Sequence, residues 1–459
     1  MDTLKNLGDG LSLRWSTPED TEKIAKLVGD VFRNMARNNE DDSPNFRMMD
    51  QISIVMRGDF PYQTPYDIAV VEDTHKPERP IVACSCLWQH TWNYGSIPFT
   101  AGRPEIVATD PAYRNRGLVR HIFALLHERS DGRGDLMQGI TGIPYFYRQF
   151  GYEMVLDLDV QGKASVAQLP EKKADEQELC ILRPATLDDI PVLTTLHNQN
   201  RGDSLIWHEA SEDFWRYIIN YWSDPSNQRQ DRTLVGINLQ AHLILDSADN
   251  ILGMVVLGHH RWRSGLGVYE LALAEQTNLH RILPSLLRAL RAYGEQCPTM
   301  FVDAPAFSEI SFWLGRTHPL YDLIGADIAP RDENFYAWYI RVPNVPAFIH
   351  KIAPVLEKRL AQSIFTDHTG ELCIDFYRGG LRLVFDQGKL TVAEPWQSPA
   401  FEGLADAGFP PLIFLQLLLG YRSLTELNQI FPDVKAKENV RLLIDTLFPK
   451  QHSLLMPMG

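Results

Sequence analysis

Two segments of this chain repeat one local pattern, about a domain's length apart. "LRWSTPEDTEKIAKL" begins at Leu13 and "LRPATLDDIPVLTTL" begins at Leu182. Each reads as a strand ending in Leu-Arg, a Thr-x-x-Asp helix start, and apolar residues at helical spacing. Arg14, Thr17, Asp20 and Leu27 recur as Arg183, Thr186, Asp189 and Leu196 at a constant offset of 169 (14 to 183, 20 to 189). Thr17 and Thr186 stand where a side-chain oxygen can cap a helix. A duplication of this size constrains the fold more than any single motif, because it calls for two copies of one α/β unit.

The expected organisation follows from that offset. The first unit spans 1–160, a linker 161–179, the second unit 180–340 and a third unit 341–459, in an α+β (mixed α/β) chain. The linker "QGKASVAQLPEKKADEQEL" is polar, mixed in charge and poor in aromatics. In the third unit the helix "AFIHKIAPVLEKRLAQ" precedes "ELCIDFYRGGLRLVFDQGKLTVAE". The latter has near period-2 apolarity and turns at Arg378-Gly379-Gly380 and Asp386-Gln387-Gly388. An apolar helix follows around 410–420.

The formal charge of -14 excludes general nucleic-acid binding, which needs a basic footprint, and suits a cationic partner. The longest apolar run, "FPPLIFLQLLLG", is short of the ~18 residues that span a bilayer. "MDTLKNLGDG" has no signal-peptide pattern, and five cysteines without framework spacing fit a reducing, cytoplasmic setting. Cys84 and Cys86 share one face of a strand and lack a second pair, so core thiols are expected and no metal site.

In the first unit, strands are predicted at 66–72, 80–88 and 103–108. The turn "DPAYRNRG" then feeds the helix "GLVRHIFALLHERSDGRG". Leu118, Ile122, Leu125 and Leu126 form its apolar stripe, and Gly132 and Gly134 end it. The first turn of a helix exposes N–H groups without intrahelical partners and favours anions. Gly117 permits close approach, and Arg114 and Arg116 can hydrogen-bond a diphosphate. On these residues alone two readings stand: an anion cradle, or the solvated first turn of a surface helix.

Next comes "GITGIPYFYRQFGYEM": a short strand to Ile140, a helical turn after Pro144, and a strand opened by Gly151-Tyr152. Arg114-x-x-Gly117 followed by Phe146-Tyr147-x-x-x-Gly151-Tyr152 resembles the GNAT N-acetyltransferases. The three-part layout resembles the enhanced intracellular survival (Eis) acetyltransferases within them. That resemblance implies a GNAT domain, a degenerate GNAT-like domain and a sterol-carrier-protein-like domain.

It also implies roles. Ile106, Val107 and Ala108 would bond pantetheine through the backbone. Arg114, Asn115, Arg116, Gly117, Leu118 and Val119 would wrap the pyrophosphate, Val119 standing where the family often has Gly or Ala. Gly142 and Ile143 would meet the thioester end, Tyr147 would be the general acid, and the Gly459 carboxylate the base. The implied enzyme uses acetyl-CoA as co-substrate and no metal. A primary amine, small-molecule or peptide and aminoglycoside-like or lysine-like, attacks directly in a ternary complex with broad specificity. A hexamer or other homo-oligomer is implied as well.

Other readings remain open on the residues. Tyr147 can anchor a short helix to the core. The acidic "NNEDDSP" at 38–44 can receive an amine or be a solvated loop, and Phe32, Phe46 and Trp88 can line a pocket or fill the core. The alternative function is a non-enzymatic lipid- or CoA-binding protein with vestigial acetyltransferase architecture. In the second copy, Leu279 and Ile282 align with Arg114 and Gly117, so that copy is expected to wall the substrate cleft and bind no CoA.

Overall fold

A computed structural model describes residues 5–33, 43–158, 162–201, 204–223, 238–301, 304–330, 337–397 and 405–455. The first sheet is built from β1 (Lys5–Gly8), β2 (Leu11–Trp15), β3 (Ile68–Asp73), β4 (Ile81–Tyr94), β5 (Ile97–Thr109), β6 (Met137–Ile140) and β7 (Glu153–Asp157). Its helices are α1 (Thr21–Val31), α2 (Phe46–Met56) and α3 (Leu118–Gly132). β1 to β5 run antiparallel in succession, and β6 lies parallel to β5. β4 is buried almost throughout because both faces are covered. Cys84, Cys86 and Trp88 pack with α1 and α2, while Ala83 and Leu87 pack with α3.

The second sheet repeats that plan. It holds β8 (Gly162–Ser165), β9 (Ile181–Pro184), β11 (Gln240–Leu245), β12 (Ile251–Leu257), β13 (Gly265–Leu273) and β14 (Glu309–Phe312). Between β9 and β11 the chain forms β10 (Ile206–His208), and its helices are α4 (Ile190–Arg201), α5 (Glu212–Ser223) and α6 (Leu279–Gln296). The order β9-β11-β12-β13-β14 mirrors β2-β3-β4-β5-β6, including the parallel last pair. The repeated residues make one constellation twice. Arg14 donates to Asp20 at 2.6 and 2.8 Å, and Arg183 to Asp189 at 2.9 and 2.9 Å. The same carboxylates accept the Thr17 and Thr186 N–H groups at 2.9 and 2.7 Å, closing a capping box in each copy.

The two sheets exchange strands. β15 (Ala337–Arg341), at the far end of the second unit, inserts between β6 and β7, antiparallel to both. β10 pairs with the far end of β4, Ile206 opposite Tyr94 and His208 opposite Trp92. In return β8, at the start of the polar 161–179 segment, joins β14. One apolar cluster then runs from Cys86, Trp88 and Ile106 through α1, α2, α4 and α5 to Met254 and Ala272 of the second sheet.

The third unit has a sheet of Gly370–Asp375, Gly380–Asp386, Lys389–Pro395 and two short pairings, with the helix Val345–Ala361 packed on it. It docks on the outer end of the β4–β5 hairpin. The Tyr94 hydroxyl donates to Leu418 O at 2.9 Å, and Phe99 meets Phe348 edge-on at 5.4 Å. The apolar run around 410–420 is buried core, Phe414, Leu417 and Leu418 included.

Two expectations follow. A chain cut after residue 160 leaves β6 and β7 without the strand that joins them. It should fail to unfold cooperatively by circular dichroism; a sharp transition at the full-length midpoint would refute the exchange. Second, burial holds His242, His259 and His318 neutral with pKa values lowered to about 4, and holds His90 and His208 well below the ordinary imidazole value. The unfolded chain titrates them near ~6.5 and so binds more protons below that pH. Their stabilising contribution is present above pH ~6.5 and is lost as pH falls toward 4, at about 1.4 kcal/mol per pH unit per histidine. Melting temperature should drop steadily across that window, and a flat profile would contradict the burial.

Candidate active site

The site begins where β5 loses its partners. On one side the register passes from Cys84–Ala108 to Cys86–Glu105, so Ile106 and Val107 share one opposing residue and Ile106 takes φ +53°. On the other side β6 pairs only with Ala101 and Gly102. Beyond Gly102 the two strands part, and the 105–108 edge is open to an extended ligand. In the second sheet the equivalent pair stays joined as far as Val268–Phe312, directly before its own bulge at Tyr269.

The loop after β5 is anchored before it turns. Asp110 Oδ1 accepts the Ala112 N–H at 2.8 Å, and the buried Tyr113 donates its hydroxyl to Asp73 at 2.6 Å. Arg114, Asn115, Arg116 and Gly117 are exposed, with Asn115 at φ +63° and Gly117 at φ +74° as the N-cap of α3. Left-handed residues in such a turn aim successive N–H groups at one point. The first helical bonds are those of Arg120 and His121 to Gly117 O, which leaves the Leu118 and Val119 N–H groups without intrahelical acceptors. A Cβ on Gly117 would meet no atom within 4 Å, so the space over the helix start is open. Arg116 lies over the Tyr113 ring at 5.1 Å, and Arg114 lines a groove shared with Lys23, Lys26 and Arg33. These residues fit a diphosphate.

The second copy lacks this cradle, for a reason the sequence alignment misplaced. α6 starts at Leu279, so counting back from the helix puts Asn278 at the position of Gly117 and Glu275 at that of Arg114, four residues before Ile282 and Leu279. Asn278 caps the helix itself, accepting the Arg281 N–H at 3.1 Å. The anion position is taken by the Asn278 side chain, and an acidic residue, Glu275, stands in the loop where the first copy has Arg114.

Tyr147 lies on the short helix Phe146–Phe150 and is 4% exposed. It packs with Phe123, Ile140, Tyr152 and Tyr339, and Val107 and Val119 border the same cluster. The strand bulge, the helix start and the tyrosine therefore meet at one place. Gly142, at φ +140°, lets the Tyr147 hydroxyl come against the backbone: a Cβ there would lie 3.0 Å from Oη. Ile143 is exposed, and Ala108 is buried on the strand.

Gly459 and the acidic residues 38–42 lie outside the described residues. The tail before Gly459 runs parallel to β10, with Leu205 N–H on His452 O at 2.7 Å, Leu454 N–H on Ile206 O at 3.0 Å, and Leu455 buried.

Two residues escaped the sequence reading. Tyr339, on exchanged β15, accepts the Tyr145 N–H at 2.6 Å and so holds the start of the short helix, a role invisible without knowing where β15 goes. Glu105, next to the bulge, accepts from Arg103 Nε at 2.6 Å, and Arg103 lies over Trp88 and Trp338. The only available signal was alternation, which puts Arg103 and Glu105 on the face of Cys86 and Trp88. Trp88 lines a cavity of about 510 Å³ between the two units, whereas Phe46 is exposed and Phe32 borders the core. Among the described residues no cluster of His, Cys, Asp and Glu is arranged for a metal ion, and no helix is long and apolar enough to cross a membrane.

Residues 12–155 match the family model described as acetyltransferase (GNAT) domain. No curated protein sequence matches the chain. Among solved structures, a probable N-acyltransferase of unknown function from Enterococcus faecalis is similar at 13% identity and TM-score 0.68, covering 98% of this chain and 100% of its own. A GCN5-related N-acetyltransferase from Kribbella flavida has 16% identity and TM-score 0.62 over 98% of both chains. Eis1 from Mycobacterium abscessus has 12% identity and TM-score 0.56, over 98% of this chain and 100% of that one. At these identities the likeness is one of fold, and it extends over the whole chain.

Gly142→Ala should push the Tyr147 hydroxyl from its place. Acetyl-CoA turnover should fall at least tenfold while CoA affinity stays within about twofold. An unchanged turnover would show that the hydroxyl's position is immaterial.

Proposed function

Because residues 12–155 carry a GNAT domain, the domain of acetyl-CoA-dependent N-acetyltransferases, we propose that this protein transfers acetyl from acetyl-CoA to a primary amine by direct attack in a ternary complex. One observation carries the proposal: the parted β5–β6 pair, the open helix start at Gly117 and the buried Tyr147 converge on a single cluster through Val107 and Val119. We assign Ile106, Val107 and Ala108 to pantetheine and residues 114–119 to the pyrophosphate, with Gly142 and Ile143 near the thioester.

In this reading the amine attacks the thioester carbonyl. An N–H of the bulged segment stabilises the charge that develops on its oxygen. The Tyr147 hydroxyl gives its proton to the departing thiolate, whose conjugate acid titrates near ~8.5. The amine arrives mostly as ammonium and must lose a proton. We assign that step to the Gly459 carboxylate, a role supported by the inward course of residues 451–455. Glu105, beside the bulge, is the second candidate.

We read 180–340 as a degenerate GNAT-like unit, supported by the duplicated capping box and sheet order, and 341–459 as sterol-carrier-like on the resemblance alone. Broad amine specificity and a homo-oligomer rest on the same resemblance.

The test is thiol release from acetyl-CoA with a panel of polyamines, aminoglycosides and lysine peptides. Tyr147→Phe should lower kcat about 100-fold with CoA affinity unchanged. Full activity in that variant would remove Tyr147 from the mechanism. Calorimetry showing no acetyl-CoA binding by the wild type would favour the non-enzymatic alternative.

A further inference from the structure

The cavity between the two units contains a cation with no ion-pair partner among the described residues. Arg47, in the first turn of α2, lines it together with Phe60, Trp88, Tyr217 and Tyr269. Among the described residues Arg47 forms no ion pair and no hydrogen bond, and its Nε is shut off from solvent without a partner. Its electrostatic neighbours are the hydroxyls of Tyr269 and Tyr221, and burial pulls its pKa down against them. A buried guanidinium left unpaired is costly, and its fork of donors matches a carboxylate.

The remaining lining shows what else the ligand must be. The floor is one face of the second sheet, formed by alternate residues of β13 (Gly265, Gly267, Tyr269) and of β14 (Glu309, Ser311), with Trp313 just past its end. Gly265 and Gly267 keep that floor low. A Cβ at Gly267 would lie 2.7 Å from Tyr269 Oη, and one at Gly265 would lie 3.3 Å from Glu309 Oε1. Phe60 stands edge-on to Trp88 at 5.0 Å and to Tyr217 at 5.6 Å, forming an aromatic wall. Glu309 accepts from the Ser311 hydroxyl at 2.9 Å, and Lys163 of β8, opposite Ser311, is a second cation of the lining. Trp88 also carries Arg103 and belongs to the cluster that holds Ile106 and Ala108, so the cavity adjoins the bulged strand.

We propose that this cavity seats the acceptor, and that Arg47 pairs with a carboxylate on it, so that the favoured substrates are amines bearing a carboxylate and an aromatic or apolar body. The inference rests on the acetyl-transfer reading for the word acceptor, but the carboxylate site is defined without it. Net charge alone pointed to a cationic partner; the local cation selects against one without a carboxylate where the substrate is held. A phosphate is disfavoured because the lining cations, Arg47 and Lys163, share the chamber with the Glu309 carboxylate, which repels a dianion more than a monoanion.

The experiment has two arms. Wild type, Arg47→Met and Arg47→Lys, each checked for an unchanged melting transition, are titrated calorimetrically with 3-phenylpropionate, which has the carboxylate and no amine. The same proteins are assayed with phenylalanine against phenethylamine and with tryptophan against tryptamine. Wild type should bind 3-phenylpropionate and should favour the carboxylate-bearing amines at least tenfold in kcat/KM. Arg47→Met should bind the acid at least tenfold more weakly and bring the kcat/KM ratio close to one, with Arg47→Lys in between. Equal binding by wild type and Arg47→Met, or a wild type that prefers the decarboxylated amines, overturns the proposal. Arg47-dependent binding without turnover of any amine would uphold the carboxylate site and sink the acetyl-transfer reading instead.

Discussion

The pairing of β4 with β5 is the constraint on which the rest depends. These strands run side by side from Ala83–Thr109 to Tyr94–Ile97, far longer than the sheet around them requires. Their inner halves form the core of the first unit and carry the bulge. Their outer halves project beyond β6 and are covered by whatever the other units supply. β10 completes the edge of β4 at Trp92–Tyr94, and the third unit closes over Tyr94 and Phe99. A long, apolar hairpin without these partners would be an aggregation hazard, so both later units protect the first as well as shaping it.

The duplication shows how small a change turns one architecture to two uses. Both copies keep the Arg–Asp capping box, the strand order and a bulge in the fourth of the mirrored strands. They differ in where the parallel pair separates. In the first copy β6 leaves β5 three residues before the bulge begins, which opens a backbone edge. In the second, β13 and β14 remain bonded to the bulge, and the freed surface is a sheet face with two glycines on it. The helix starts differ in the same sense: a glycine over open space in one, an asparagine capping its own helix in the other.

What could be read from the sequence was what depends on neighbours in the chain. Helix α3, its Gly117 start, the short helix after Pro144 and the repeat all show as local spacing. So does the buried apolar helix of the third unit. What could not be read was anything decided by strands far apart in sequence. "AWYIR" at 337–341 is plainly a strand, but nothing in it says that its partners are β6 and β7 rather than β14. The polar start of 161–179 reads as a linker because an edge strand needs few apolar residues. Three of the four positions by which the alignment of the second copy slipped come from its shorter loop before the helix, five residues where the first has eight. Local motifs hold register only as long as loops keep their length.

The same limit explains why charge misleads at the candidate site. The net value of -14 averages over a surface, whereas a ligand responds to the few groups within a Debye length, and more strongly to those shielded from water. Acidic residues can raise the local concentration of a cationic amine without touching it. Arg47 acts later and closer, in a chamber where no carboxylate among the described residues is paired with it. A substrate carrying both an ammonium and a carboxylate satisfies both conditions. Its ammonium is drawn to the acidic exterior, and its carboxylate is fixed at α2. Its amine would then be free to turn toward the bulge beside Trp88 and Glu105. Arg47 and the bulge both belong to the first copy, and the second supplies the floor between them, a reason a copy that cannot cradle an anion at its helix start would still be retained in the chain.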